Sequence, residues 1–168
     1  SKSAKMINLN ENELFLYRSN VVMNSNMLSA AIANGVKKYI YVGTACSYPA
    51  KMQSKLNPPP FREDDAYPAD PESAYGWSKL MGEYECDLAQ KEDAIEVGIL
   101  RLHNVYGPPC ELSPERSQVI PALCRKAIMY PKEEFVVWGT GSQRRAFVYV
   151  EDVIQAIIAT LDKGMNRG

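Results

Sequence analysis

A tyrosine and a lysine stand four residues apart in the segment Ser73-Ala-Tyr-Gly-Trp-Ser-Lys79. The segment has a helical pattern, and residues i and i+4 share a helix face, so Tyr75 and Lys79 are predicted to lie side by side. A nearby ammonium favours the phenolate and lowers the pKa of the phenol, which makes a tyrosine usable as a base near neutral pH. Such a pair can take the proton of an alcohol. An ordinary pair on a helix surface is the alternative, because both residue types are common there.

The order of helices and strands around this pair predicts an α/β fold. Apolar residues at spacings of three and four predict an amphipathic helix from Leu14 to Ile32, which Asn34-Gly35 ends. Ser73 is predicted to cap the helix that carries Tyr75 and Lys79 and runs to about Gln90. The remaining predicted elements are strands at Tyr39–Val42, Ile95–Leu102, Phe135–Trp138 and Ala146–Val150, and helices at Ser117–Met129 and Val150–Leu161.

A long proline-rich segment from Tyr48 to Pro71 separates the first predicted strand from the helix that carries Tyr75. It contains six prolines and has no helical or strand periodicity. It is therefore predicted to be an extended surface loop, and loops of this length often have a function. We expect it to lie over a site.

Composition and charge exclude several classes of protein. The 168 residues are 46% hydrophobic and carry a net charge of −1, which suits one globular domain and gives no basic field for nucleic acid or an anionic membrane. No run of about 18 apolar residues or apolar signal region indicates a membrane span or secretion. Four cysteines lack the spacing of a zinc site or a disulfide framework, so no metal and a reducing, cytoplasmic setting are expected.

Four motifs follow one another in the chain: Val42–Pro49, Tyr75–Lys79, Arg101–Pro108 and Trp138–Asp152. Together they resemble the extended short-chain dehydrogenase/reductase family, in its nucleotide-sugar epimerase/dehydratase branch. The motifs are most similar to those of the GDP-mannose 3,5-epimerases and GDP-L-fucose synthases. The resemblance implies a partial Rossmann-like, doubly wound parallel sheet, its C-terminal half, with part of the substrate-binding region.

The resemblance also implies a set of catalytic roles. Tyr75 would take the proton of the sugar hydroxyl as hydride passes to NAD or NADP, and Lys79 would hold the nicotinamide ribose. Thr44 would bind the same sugar oxygen. Cys46 would be one half of an acid/base pair that inverts a carbon next to the oxidised C4, and a thiol suits this because modest positive charge brings its pKa into range. The alternative for Cys46 is a small buried residue at a strand end.

The cofactor and the substrate would contact further residues according to the same resemblance. Leu102 and His103 would lie beside the nicotinamide. Asn104 would bind the sugar or its phosphate, and Lys126, Gln143 and Arg145 the diphosphate and nucleotide, a GDP-sugar being favoured. Taken singly, Lys126 and Arg145 would be solvated surface charges.

Gln118 departs from the family pattern. It stands where the two relatives have a Lys or a His, and an amide cannot exchange a proton usefully at neutral pH. Either Cys46 works without a partner and epimerises one carbon centre of the sugar or none, or the reaction is a plain 4-epimerisation, dehydration or reduction.

The glycine-rich loop that binds the dinucleotide pyrophosphate in Rossmann folds is not found in the sequence. The expectation is that residues 1–168 form the catalytic segment of a longer enzyme, inactive alone, that associates with itself as a homo-oligomer. The alternative is a non-catalytic remnant that acts as a nucleotide-binding or association module. The sequence leaves NAD and NADP, and the particular nucleotide sugar, undecided.

Overall fold

A computed structural model describes residues 12–54, 58–114, 116–142 and 144–163 of the chain. The helices in these ranges are α1 (Glu13–Ala33), α2 (Ala50–Gln53), α3 (Ala74–Lys91), α4 (Val119–Met129) and α5 (Val150–Lys163). The strands are β1 (Lys38–Thr44), β2 (Glu96–Leu102), β3 (Asn104–Tyr106) and β4 (Phe147–Tyr149), and short 3-10 turns span Ala45–Ser47 and Glu63–Ala66.

Both strand pairs in the described residues are parallel. Strands β1 and β2 pair over their whole length, with Lys38 opposite Glu96 and Thr44 opposite Leu102. Strands β3 and β4 form a second, three-residue pair. Helix α3 makes the crossover between β1 and β2, as parallel neighbours require. The predicted α/β class with parallel strands is confirmed.

The core lies between β1, β2 and the helix pair α1 and α3. Side chains alternate along β1, and Tyr41 points to the α3 face, where its hydroxyl donates to the Lys79 carbonyl at 3.1 Å. Lys38 belongs to the other face and donates to the Leu161 carbonyl of α5 at 2.6 Å, so helices contact β1 from both sides. The buried residues of this core are Leu28, Tyr41, Cys86, Ala89, Ile95 and Val97.

Most predicted elements are confirmed, but three details are wrong. The segment Phe135–Trp138 is not a strand, and all four side chains are exposed, Trp138 by 70%. Helix α1 forms as predicted, yet its apolar residues are not confined to one buried face, because Leu14, Met23 and Met27 are each more than half exposed. Strand β3 was not predicted, since three residues have no detectable periodicity.

The proline-rich loop is held at both ends. The Ala50 amide donates to the Asp70 carbonyl at 2.8 Å, and Pro49 and Pro71 form an isolated antiparallel bridge. The Tyr48 and Phe61 rings pack with centroids 4.9 Å apart. The predicted loop therefore exists, with short helical turns inside it.

Candidate active site

The candidate site lies at the carboxyl ends of β1 and β2. The two strands end side by side at Thr44 and Leu102, which are paired in the sheet. Open parallel α/β sheets bind their ligands outside this edge. The 3-10 turn of Ala45–Ser47 follows Thr44 immediately and places Cys46 at the same edge.

The first turn of α3 is fixed against this edge. The Ser73 hydroxyl accepts a 3.2 Å hydrogen bond from the Gly76 amide, which confirms the predicted cap. Gly76 packs directly on the Cys46 carbonyl oxygen and Pro71, where a Cβ would collide with both. Glycine is needed here for close approach, and this approach brings Tyr75 to the end of β1.

The Thr44 side chain lies close enough to the Tyr75 phenol to affect its pKa. Burial raises the pKa of the half-buried Tyr75 phenol, the nearby Cys46 adds to this, and the Thr44 hydroxyl opposes it. The direction differs from the prediction that Lys79 lowers the pKa of Tyr75. The physical reason is that desolvation of the phenolate outweighs the stabilisation from its neighbours.

Lys79 lies one helical turn after Tyr75 and points to the same edge. Its ammonium donates a 2.9 Å hydrogen bond to the Val42 carbonyl and lies 5.1 Å from the centroid of the Tyr41 ring. Burial lowers the pKa of Lys79, and the Glu83 carboxylate opposes this shift. The lysine therefore ties α3 to β1 as well as bringing positive charge to the site.

Cys46 presents an exposed thiol beside Thr44. Its amide donates to the Thr44 hydroxyl oxygen at 3.2 Å, which caps the 3-10 turn and fixes the two residues relative to each other. Cys86 differs sharply, because it is buried in the core and burial raises the pKa of its thiol to about 12. The exposed position of Cys46 differs from the alternative of a small buried residue.

Two of the predicted substrate residues share a cleft. Asn104 at the start of β3 and Gln118 just before α4 line a cavity of about 200 Å³, with Ile120, Pro121 and Phe147. The Asn104 amide nitrogen donates to the Ala146 carbonyl at 3.0 Å, which orients the side chain. Gln118 is exposed and makes no side-chain cap for α4.

The other predicted binding residues lie around this centre or apart from it. Leu102 ends β2, and the exposed His103 ring lies 6.2 Å from the Phe61 ring. Lys126 donates to the Val136 carbonyl at 2.7 Å and contacts the exposed Trp138 ring. Arg145 is exposed and bonds the neighbouring Arg144 carbonyl. Gln143 lies outside the described residues.

Sequence reasoning missed two charged residues behind the site, the buried Glu83 and the partly buried Arg101, which form an ion pair. The signal was present, since Glu83 follows Lys79 by four residues and must share its helix face. Arg101 is a charge within the otherwise apolar end of β2.

In the described part of the chain, no three His, Cys, Asp or Glu side chains are grouped so that they would hold a metal ion. No helix of the same residues has the length and apolar character needed to span a membrane.

Comparison with known proteins shows the family. The chain belongs to the NAD dependent epimerase/dehydratase family, whose model matches residues 3–167. This agrees with the resemblance to the nucleotide-sugar branch of the extended short-chain dehydrogenases/reductases, and the family description agrees with the predicted use of NAD or NADP.

Two relatives act on GDP-sugars by name. The chain is 34% identical over 150 residues to GDP-mannose 3,5-epimerase of Arabidopsis thaliana, covering 89% of this chain and 40% of the relative. It is 33% identical over 150 residues to GDP-L-fucose synthase 1 of the same plant, covering 86% and 45%. The chain thus spans less than half the length of these relatives.

Solved structures confirm the fold. UDP-glucose 4-epimerase of Thermotoga maritima, solved with UDP-glucose, has a TM-score of 0.78 and 25% identity, with 97% of this chain and 51% of that chain covered. A GDP-L-fucose synthetase of Naegleria fowleri bound to NADP has a TM-score of 0.75 and 25% identity, with 95% of this chain and 52% of that chain covered. The chain accordingly has part of the Rossmann-like, doubly wound parallel fold.

Proposed function

We propose that this chain is the catalytic segment of an NAD- or NADP-dependent nucleotide-sugar epimerase/dehydratase that transiently oxidises the sugar at C4. The proximity of Thr44 and Tyr75 at the carboxyl end of β1 is the observation that supports this most. It brings a hydroxyl and a phenol to one point, where both can contact a single sugar oxygen. Lys79, one turn further along α3, adds positive charge at the same edge.

Tyr75 is proposed to take the proton of the C4 hydroxyl. Because burial raises the pKa of Tyr75, the Thr44 hydroxyl has to favour the phenolate for the residue to act as a base. Lys79 retains N–H donors beyond its bond to Val42, and these fit the hydroxyls of a nicotinamide ribose. When bound, NAD or NADP would accept the hydride, with Leu102 and His103 beside it.

Cys46 is proposed to exchange a proton at a carbon next to the oxidised C4. Its thiol is exposed, and its amide is bonded to Thr44, so it lies beside the group that holds the sugar. Gln118 cannot act as its acid/base partner. The proposed outcome is therefore inversion of one centre by Cys46 alone, or a plain 4-epimerisation, dehydration or reduction.

A GDP-sugar is the proposed substrate, because the two plant relatives act on GDP-sugars by name. The cleft that Asn104 and Gln118 line is proposed for the sugar and its phosphate. Lys126, Gln143 and Arg145 are proposed to bind the diphosphate and nucleotide, as a point charge, an amide and a forked donor respectively.

Self-association in the cytoplasm is proposed as well. Helix α1 exposes six large apolar side chains, and large exposed apolar patches mark interaction sites. These residues are Leu14, Phe15, Val22, Met23, Met27 and Ile32. Sizing chromatography with light scattering tests this proposal, and a monomeric profile would contradict it.

The catalytic proposal is tested by incubating the full natural chain with NAD and GDP-mannose in deuterated water, with UDP-glucose as the comparison sugar. We expect turnover of GDP-mannose to exceed that of UDP-glucose. Deuterium at C3 or C5 of the product supports the Cys46 proposal, and product without it supports plain C4 chemistry. The absence of turnover with either sugar counts against the proposed reaction.

A further inference from the structure

An ion pair between a buried carboxylate and a partly buried guanidinium lies directly behind the candidate active site. Glu83 is 2% exposed and lies four residues after Lys79 on α3. One of its oxygens, Oε2, accepts a 2.8 Å hydrogen bond from Nε of Arg101 and lies 2.8 Å from Nη2 of the same guanidinium. A buried carboxylate requires such compensation, because removing either partner leaves an unpaired charge away from water. Burial raises the pKa of Glu83, and the Arg101 guanidinium opposes that shift.

The second carboxylate oxygen contacts both ends of the segment that carries Thr44 and Cys46. Oε1 accepts a long hydrogen bond of 3.4 Å from the fully buried Ser47 hydroxyl. It also lies against Gly43, where a Cβ would come within 2.6 Å of it. One side chain of the Tyr75 helix therefore fixes the positions immediately before Thr44 and immediately after Cys46.

Arg101 extends the same contact to the proline-rich loop. Its Nη1 donates to the Glu63 carbonyl at 2.5 Å, and its guanidinium lies 5.3 Å from the centroid of the Tyr48 ring. Glu63 and Tyr48 belong to the 48–71 segment, within which the Tyr48 ring packs against the Phe61 ring. The pair thus touches α3, the end of β1, β2 and the loop.

We propose that Glu83 and Arg101 are positioning residues, which set Tyr75 and Lys79 against Thr44 and Cys46 and hold the 48–71 loop at the edge of the site. As a catalytic statement this rests on the proposed function. A pair that only stabilised the fold would need no contact with the Gly43–Ser47 segment or with the loop. Misplacement of reacting groups by about 1 Å is enough to lower a rate about 10²-fold.

The test uses Glu83→Gln in the full natural chain, which keeps the shape of the side chain and removes its charge. Glu85→Gln is the matched control, because Glu85 lies on the same helix and accepts from Ser25 at 2.8 Å, away from the site. We expect kcat of E83Q to fall about 10²-fold with KM little changed, and E85Q to keep both. Tryptic cleavage after Arg62 and alkylation of Cys46 should accelerate several-fold in E83Q, with alkylation of the exposed Cys110 as the internal reference.

The double variant E83Q/R101Q separates positioning from stability. It replaces the ion pair by two neutral groups, so it is expected to recover thermal stability relative to E83Q, while kcat stays low. Recovery of kcat together with stability, or a folded E83Q with wild-type kcat and wild-type cleavage, would overturn the proposal. If the wild-type chain turns over no nucleotide sugar, the proposed function fails, but cleavage after Arg62 and alkylation of Cys46 still decide whether the pair positions these segments.

Discussion

The Lys79 ammonium donates a 2.9 Å hydrogen bond to the main-chain carbonyl of Val42, two residues before Thr44. The bond joins the helix that carries Tyr75 to the strand that presents Thr44. Burial lowers the pKa of Lys79, and the Glu83 carboxylate opposes this shift. The lysine therefore has a structural contact in addition to its proposed contact with the cofactor.

Gly76→Ala should displace the start of α3. The new Cβ would collide with the Cys46 carbonyl oxygen and with Pro71, and a backbone atom cannot turn aside as a flexible side chain does. We expect a loss of about 1–3 kcal/mol in the free energy of unfolding, measured by urea denaturation, together with reduced activity. A variant of unchanged stability would show that the helix and the turn do not pack this closely.

Thr44→Val should shift the pH dependence of catalysis. The Thr44 hydroxyl lowers the pKa of Tyr75, so its removal raises that pKa further. If Tyr75 acts as the base, the ascending limb of kcat/KM against pH moves to higher pH. Thr44→Ser keeps the hydroxyl and should retain the wild-type profile. Equal profiles for all three proteins would exclude this role of Thr44.

Cys46→Ser should remove proton exchange while leaving C4 chemistry in place. A serine hydroxyl has a similar size but does not ionise near neutral pH, so deuterium from the solvent should no longer enter C3 or C5. The measurement is NMR of the product formed from GDP-mannose in deuterated water. Incorporation equal to that of the wild type would assign the exchange to another group.

Cys86→Ala should reduce the loss of stability at alkaline pH. Burial raises the pKa of Cys86 in the folded protein from the ordinary value of 9.0 to about 12. The protonated thiol therefore contributes fully to the free energy of unfolding below pH 9, and this contribution is lost as the pH rises toward 12. Without the thiol, the free energy of unfolding should fall less steeply with pH in this range, by a difference in slope that corresponds to about one bound proton. Cys110→Ala, at an exposed cysteine, is the control and should keep the wild-type slope. An unchanged slope in C86A would contradict the buried state of the thiol.

The long elements were predictable from sequence because their signals are local. The Ser73 cap and the spacing of Tyr75 and Lys79 are enough to predict α3. The parallel pairing of β1 with β2 follows from the alternation of strands and helices along the chain. Strand β3 was not predictable, because its three residues are too few to show a strand periodicity. Phe135–Trp138 has the composition of a strand, yet its residues are exposed, so composition alone misled.

The candidate site was predictable in its members but not in its electrostatics. The spacing of Tyr75 and Lys79 gives their shared face, whereas the pKa of Tyr75 depends on how deeply α3 packs on the Cys46 turn. That packing is set by Gly76, whose role appears only in three dimensions. The Glu83–Arg101 pair likewise depends on the crossover of α3 between two strands.

The central claim is that Tyr75 is the base of a nucleotide-sugar reaction, and Tyr75→Phe tests it most directly. The phenylalanine keeps the ring and removes only the hydroxyl, so the fold should be retained, as circular dichroism and thermal unfolding would show. We predict that kcat/KM for GDP-mannose with NAD falls about 10²- to 10⁴-fold in Y75F. A folded Y75F variant that turns over GDP-mannose at the wild-type rate would contradict the claim.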